Sequence, residues 1–473
     1  MALERWAPRL IAAALCTAIL AAAAMPAGAS AAPSYVGGRA TTCFWYYGPV
    51  SGDPGDLNIA YPDGNAYYWT AYFRRPAGST LKLKGDFQHS RYESIVAYNA
   101  QSNILDGIAD SQIDPDPGSV NPYRQGADRT AANRAYTVDV ASAVNPGFPT
   151  NRVYEDDLVA RNTLYARSNP QSNETLGGVT EELQILMVRI YAPDRSHAIS
   201  AATKMPEPEL TLADGTVLTG QSLCDRTDSQ SVRFSAERGG ALRLSDPNSL
   251  LINKTSYQAL RYPDALPAGC NVLGQLTCPL VPESSWATFA PKPTQTAATP
   301  LVARPWSLRS SDPLPATFPA TNPATWRSTY TRRYMMQMYT GNDAPGAETA
   351  PARFTGGVFF PNPHNNYVRA VVNRKFGKVV EATGKMPVTQ RTYDDVPTLE
   401  NDDVQMRYRS YCMAESIRTT RNMDCVYDEQ VPIDADRRFT IAISRPDDRP
   451  ANATKFCGVA WIEWTPTGDG AGF

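Results

Sequence analysis

The sequence predicts an all-β protein: two homologous jelly-roll-like β-sandwich domains joined by a Pro-rich irregular segment with short helices. Three observations carry this reading. Residues 61–87 (YPDGNAYYWTAYFRRPAGSTLKLKGDF) align without a gap on residues 360–386 (FPNPHNNYVRAVVNRKFGKVVEATGKM), matching Pro62 with Pro361, Tyr68 with Tyr367, Arg75 with Arg374 and Gly85 with Gly384. The match persists downstream in the same order, Arg91-Tyr92-Glu93-Ser94 answering Arg407-Tyr408-Arg409-Ser410 and AYTVDV at Ala135 answering RFTIAI at Arg438. Finally, 39 prolines and 31 glycines punctuate short alternating runs rich in Tyr, Val and Ile, the pattern of strands joined by turns. An internal repeat of this kind sets architecture rather than function.

Taken in order, residues 1–31 read as a signal peptide, with Arg5 and Arg9 before an apolar run over 10–24 and small residues Ala27, Ala29 and Ala31 suited to a peptidase. The first sandwich is expected over 32–194, with strands at 66–73, 80–85, 92–98, 135–140 and 183–191. The last of these, LQILMVRIY, is almost continuously apolar and is predicted to be a central strand. Residues 195–354 form the connecting region, extended where Pro, Ala, Ser and Thr crowd over 263–323, with short helices predicted over 248–262 and 324–339. The second sandwich is expected over 355–473, with strands at 367–373, 378–383, 406–413, 438–444 and 458–464. Two sandwiches of about 110 to 150 residues suit such folds.

Lys and Arg number 45 against 47 Asp and Glu, and removal of Glu4, Arg5 and Arg9 moves the net charge from -2 to -3. No basic stripe emerges, so nucleic acid is not an expected partner. No segment after the leader is apolar enough to anchor the chain in a bilayer. In an exported chain the cysteines favour disulfides. The spacing suggests Cys270–Cys278 and Cys412–Cys425 as local staples and Cys43–Cys224 as a tie for the mature N-terminus, leaving Cys457 as a buried thiol on a strand.

No Gly-x-Ser-x-Gly and no His-Glu-x-x-His occurs, and histidine is limited to His89, His197 and His364, so no catalytic residue is assigned. His89, beside Ser90, is the only place where a nucleophile–base arrangement could begin, but Gln405 occupies its position in the second copy. The densest acids, Asp110, Asp114 and Asp116 in DSQIDPDPGSVNPY, make calcium the one cofactor the sequence admits, although no Asp-x-Asp-x-Asp-Gly register is present. Asp428 and Glu429, with Asp447 and Asp448, offer carboxyl pairs for glycoside hydrolysis. Arg445 and Arg449 flank the latter pair and favour an ion-paired loop. Trp45, Tyr47 and Trp69 supply rings that stack on sugars if exposed, whereas strand alternation sends half of such clusters inward. The ligand-binding candidates are therefore Trp45, Tyr47, Trp69, Asp428, Arg445 and Arg449.

The segments DSQIDPDPGSVNPY, RNTLYA, VRIYAPD, GGVFFPNPHNNYV, CVYDEQVPID and SRPDDRPANAT resemble a group of uncharacterised secreted actinobacterial proteins. The resemblance covers most of the mature chain and implies no activity or catalytic residues. In those proteins a further apolar strand follows the equivalent of GDGAGF, which implies an open edge on the second sandwich. The expected role is non-catalytic binding of a carbohydrate or other cell-surface ligand, a cell-envelope glycan or a surface protein, by a secreted or envelope-associated chain. The alternatives are a secreted hydrolase acting on glycans or esters through the acidic loops, and a structural protein that binds a partner through the open edge.

Overall fold

The computed structural model describes residues 42–45, 47–52, 61–99, 104–146, 162–167, 182–200, 202–229, 323–324, 326–328, 360–399, 403–414, 422–464 and 471–472. The regular structure of these residues is mostly β-strand, with one α-helix among them, Gly220–Thr227. No helix among them is long and apolar enough to cross a membrane. The expected helix at 248–262 and the Cys270–Cys278 pair lie outside the described residues.

The first half is two five-stranded sheets face to face. One has the order β1 (Tyr47–Val50), β2 (Ala66–Arg75), β8 (Glu182–Pro193), β4 (Ser90–Tyr98), β5 (Ile104–Ala109). The other runs β10 (Val217–Thr219), β9 (Glu207–Thr211), β3 (Thr80–Asp86), β6 (Ala135–Ala141), β7 (Thr163–Tyr165), with β6 and β7 parallel. Because β9 pairs with β3, the first unit runs past the expected boundary at 194. Between the sheets lies one core: Trp69, Ala71 and Phe73 from β2, Leu186, Val188 and Ile190 from β8, Leu81 and Leu83 from β3, and Val138 and Val140 from β6. Side chains alternate across a strand, so these residues share one face.

The other face of the first sheet is covered too, and this explains why β2 and β4 are buried at every position. Tyr68, Tyr92, Tyr98, Arg189 and Tyr191 point away from the core toward the second half. Tyr98 Oη donates to the Pro361 carbonyl at 2.9 Å, and the rings of Tyr191 and Tyr408 meet edge to face at 5.4 Å. LQILMVRIY reads as continuously apolar because each of its faces packs against protein.

The second half contains β14 (Val379–Lys385), β17 (Arg438–Ser444) and β18 (Val459–Glu463) in one sheet, with β17 and β18 parallel. A hairpin of β15 (Ser410–Ala414) and β16 (Asn422–Tyr427) packs on it. Their shared core holds Met386, Met413, Phe439, Ile441, Ile462 and Trp464. Three short strands complete the half: β12 (Val368–Arg369), β13 (Val372–Asn373) and β19 (Ala471–Gly472), the last pairing with β13. Arg327–Ser328, within the expected helix at 324–339, instead forms the strand β11 against β12. Pairing with a neighbour outweighs local helical spacing there.

Several local arrangements occur in both halves. Gly85 lies opposite Tyr136 and Gly384 opposite Phe439, and a Cβ on either glycine would come within 2.8 Å of the ring. Phe87 N–H donates to the Arg134 carbonyl at 2.9 Å, as Met386 N–H does to that of Arg437 at 2.8 Å. β5 ends in a 3₁₀ turn, Asp110–Gln112, whose Gln112 side chain accepts from Ala109 N–H; β16 ends in another, Asp428–Gln430, whose Gln430 accepts from Tyr427 N–H.

Among the described residues two disulfides form, Cys43–Cys224 and Cys412–Cys425. Cys457 sits half-buried at the end of the 3₁₀ turn Lys455–Cys457 rather than on the following strand, because Thr454 caps that turn and Gly458, in the left-handed region, closes it.

Candidate functional site

Those paired 3₁₀ turns place two carboxylates at the seam between the halves. Asp110 accepts Glu93 N–H at 2.6 Å, and Asp428 accepts Arg409 N–H at 2.8 Å. Each carboxylate is then met by an arginine from the opposite half, Asp428 by Arg91 and Asp110 by Arg407. Arg91 also pairs with Glu429, its Nε donating to Thr392 Oγ1 at 3.2 Å. The Arg91 guanidinium lies 5.9 Å from the Tyr408 ring and that of Arg407 lies 5.4 Å from the Tyr92 ring. Burial pushes the carboxyls of Asp110 and Asp428 up, and the opposing arginines work against that push.

The consequence for Asp428 and Glu429 is direct. Both are committed to Arg91, and Glu429 additionally accepts Thr392 N–H at 2.8 Å and Tyr393 N–H at 3.2 Å. Asp448 pairs with Arg374 at 2.8 Å and Lys378 at 3.1 Å, which hold its carboxyl below the usual range. Its ion-pair partners are therefore not the sequence neighbours Arg445 and Arg449. The exposed Arg449 donates to the Ala453 carbonyl at 2.6 Å and lies over Trp461, its guanidinium 4.3 Å from the ring. Arg445 is half-buried at the start of the 3₁₀ turn Pro446–Asp448.

The aromatic candidates separate by depth. Trp45 and Trp69 are both 0% exposed and belong to the first core, with the Trp45 indole N–H donating to the Pro206 carbonyl at 2.6 Å. Neither ring presents a face to solvent, so neither is a stacking platform. Tyr47 opens β1 opposite Thr70. The three aspartates expected to gather a cation do not converge on one point. Asp110 is buried against Arg407, Asp114 is exposed beside Arg124 at 2.7 Å, and Asp116 accepts the Thr137 hydroxyl at 3.1 Å.

A different surface emerges where the 3₁₀ turn Arg195–His197 meets residues 392–395. Ser196 Oγ lies 2.6 Å from Asp395 Oδ1 and 2.8 Å from His197 Nδ1, and the His197 ring stacks on that of His89 with centroids 3.6 Å apart. Arg195 pairs with Asp394 and lies over the 40% exposed Tyr393, 5.0 Å from its centroid. Beneath, Arg129 binds Asp194 through two contacts of 2.8 and 2.6 Å and donates to the Val396 carbonyl at 3.2 Å. Ser196, His197 and Asp395 are the residue types of a hydrolytic triad, but their wiring is not. The serine hydroxyl holds Asp395 below the usual carboxylate range by donating its one proton to it. His197 Nδ1 must then donate to the serine oxygen and cannot act as its base.

Sequence reading singled out His89 but not this surface, since Ser196 and Asp395 stand 199 residues apart. The one available signal was the scarcity of histidine, two of three meeting here.

No family model matches the chain, and no curated protein matches it. Among solved structures, it is similar to an uncharacterized protein from Burkholderia cenocepacia, at 10% identity and a TM-score of 0.37, over 87% of this chain and 72% of that one. A Vibrio parahaemolyticus protein is similar over 30% of each chain, at 12% identity and a TM-score of 0.19.

Proposed function

We propose that this is an exported, non-catalytic binding protein made of two copies of one jelly-roll-like β unit, and that its ligand is a carbohydrate of the cell surface. The observation that carries the non-catalytic reading is the fate of Asp428 and Glu429. An acid pair working on a glycosidic bond needs two carboxyls facing a substrate across a cleft. Here both are ion-paired to one arginine from the other half instead. Two copies of one unit are supported by the shared glycine–aromatic pairs, the matching 3₁₀ turns and the reciprocal arginine–aspartate exchange. The disulfides Cys43–Cys224 and Cys412–Cys425 suit an oxidising compartment.

The surface at Tyr393 supports the choice of ligand. An exposed ring flanked by a hydroxyl, an imidazole and carboxylates offers what a sugar uses, an apolar face for stacking and hydrogen-bonding groups at its rim. A ligand that binds only the native state raises its melting temperature. We expect an envelope glycan or small sugar to raise the melting temperature of the wild type and to leave Tyr393→Ala unshifted. A shift that persists in Tyr393→Ala would move the site elsewhere on the surface. Silence across a panel of glycans would refute the carbohydrate reading.

A further inference from the structure

The Cys412–Cys425 disulfide differs from Cys43–Cys224 in how its sulfurs are surrounded. Cys412 and Cys425 face each other directly across β15 and β16, and both are half-buried rather than enclosed. Two N–H donors converge on one sulfur. Gly64 N–H reaches Cys425 Sγ at 3.2 Å from 361 residues away in the first half, and Asn422 Nδ2 reaches it at 2.7 Å. The approach is close: a Cβ at position 64 would come within 3.0 Å of Cys425 Cβ and 3.4 Å of its Sγ, so the cysteine would have to give way slightly to any larger residue there. In the other disulfide Cys43 is half-buried as well, but Cys224 is 2% exposed in the first core, and Cys43 Sγ contacts the Gly220 carbonyl, an acceptor, at 3.5 Å.

We propose that Cys412–Cys425 is a thiol–disulfide exchange site, with Cys412 the sulfur attacked and Cys425 the leaving group, and that its co-reactant is a thiol reductant. Exchange runs faster when the departing sulfur is the better-stabilised thiolate, and N–H donors aimed at a sulfur stabilise its anion. In the first step a reductant thiolate attacks Cys412 Sγ and forms a mixed disulfide. The Cys412–Cys425 bond breaks and its electron pair leaves on Cys425, between Gly64 N–H and Asn422 Nδ2. A second reductant thiolate then attacks the reductant's sulfur in the mixed disulfide. This releases Cys412 as a thiolate, and water protonates it. The protein gains two electrons and the reductant leaves as its own disulfide.

Asp63 faces the same pair, with a carboxylate oxygen, Cys412 Sγ and Cys425 Sγ all within 4.8 Å of one another. Its oxygens are engaged by the hydroxyls of Tyr408 and Ser410 and by Asn65 N–H. Its charge opposes a thiolate on either cysteine, whereas the two N–H donors act on Cys425 alone. That contact joins the halves, since Gly64 belongs to the turn before β2 and Asn422 also donates to the Pro62 carbonyl at 2.8 Å. The redox state of this hairpin is thereby coupled to the seam.

The test is timed reduction of the intact, folded chain with dithiothreitol and, separately, with glutathione, followed by alkylation and mass spectrometry of each cysteine. We expect Cys412–Cys425 to open about tenfold or more faster than Cys43–Cys224 with both reductants. In the reduced protein, Cys425 should alkylate at lower pH than Cys412. Asn422→Asp, which replaces a donor with a carboxylate, should slow opening of this bond and leave Cys43–Cys224 unchanged. Asn422→Leu removes the donor without adding charge and serves where the Asp variant does not fold. Equal opening rates for the two disulfides, or Cys412 alkylating at the lower pH, would overturn the proposal; both readings come from the wild type and need no variant.

Discussion

The guanidinium of Arg91 is wholly buried against the carboxylate of Asp428, 337 residues further along the chain. Arg407 repeats the arrangement in the opposite direction onto Asp110. The first half thus gives Arg91 and Asp110 to the seam, the second gives Arg407, Asp428 and Glu429, and these charges compensate one another only while both halves are in place. This seam is a mutual dependence rather than a one-sided docking contact.

It follows that removing one partner costs far more than the pair contributes as a whole. Breaking a buried pair from one side leaves a charge without compensation, an effect of about 3 to 5 kcal/mol. Arg91→Met is expected to lower stability by that amount, because Asp428 loses the guanidinium it contacts and Glu429 keeps only the exposed Arg391 at 3.8 Å. Adding Asp428→Asn and Glu429→Gln to Arg91→Met should recover much of the loss. Urea midpoints of the single and triple variants check this. If Arg91→Met is neutral, the seam does not hold the halves together as described.

The strands were the legible part of this molecule, and the seam was not. Turn residues mark β2, β3, β4, β6 and β8 within two residues at their ends, with alternation in β3 and β6, which bury one face, and runs rich in apolar and aromatic residues in β2, β4 and β8, which bury both. The short strands β1, β7, β9 and β10 carry too few residues for a period to show. Arg91 and Asp428 were each visible as charged residues near a strand end, yet nothing local pairs residues so far apart. Trp45 and Trp69 are read correctly only once the facing sheet is known, because an aromatic cluster on a strand has the same sequence whether its other side meets protein or water. The same holds for Asp110, whose neighbours in sequence suggest a cation and whose partner in space is an arginine.

Cross-strand glycine is the device that lets a large ring lie flat on β3 and on β14. Gly384→Ala would drive a methyl to within 2.8 Å of the Phe439 ring inside the second core. Overpacking of this sort costs about 1 to 3 kcal/mol. The neighbouring Thr383, whose side chain is exposed, serves as the comparison, and Thr383→Ala should cost less. Equal urea midpoints for the two variants would show that Phe439 moves aside freely.

Calcium is expected to leave the melting temperature where it is. Asp110, Asp114 and Asp116 each have a separate partner in Arg407, Arg124 and Thr137, so binding one ion would require all three to abandon them. Differential scanning of the protein with millimolar calcium and then with a chelator checks this. A rise with calcium that the chelator reverses would mean that the loop rearranges around the ion.

Two titrating groups give stability opposite dependences on pH. Glu93 is enclosed in the first half, accepting Gln88 N–H at 3.0 Å and the Tyr136 hydroxyl at 3.1 Å, with the charge of Asp110 adding to the effect of burial and that of Arg134 opposing it. Burial raises its pKa from 4.5 to about 7. The folded state then binds more protons than the unfolded one across that window, so this stabilisation is complete below about 4.5 and lost as pH rises through 7. For a fully enclosed group the shift amounts to about 3 kcal/mol. His89 runs the other way. Desolvation, with Arg134, His197 and Arg129 adding to it and Asp395 opposing, lowers its pKa from 6.5 to about 4. The unfolded state binds the extra proton there, and stability falls as pH drops from 6.5 toward 4. Urea midpoints from pH 4 to 8 should show Glu93→Gln gaining on the wild type as pH rises. His89→Gln should gain on it as pH falls. Curves for both variants that run parallel to the wild type would mean that neither group titrates differently in the folded chain.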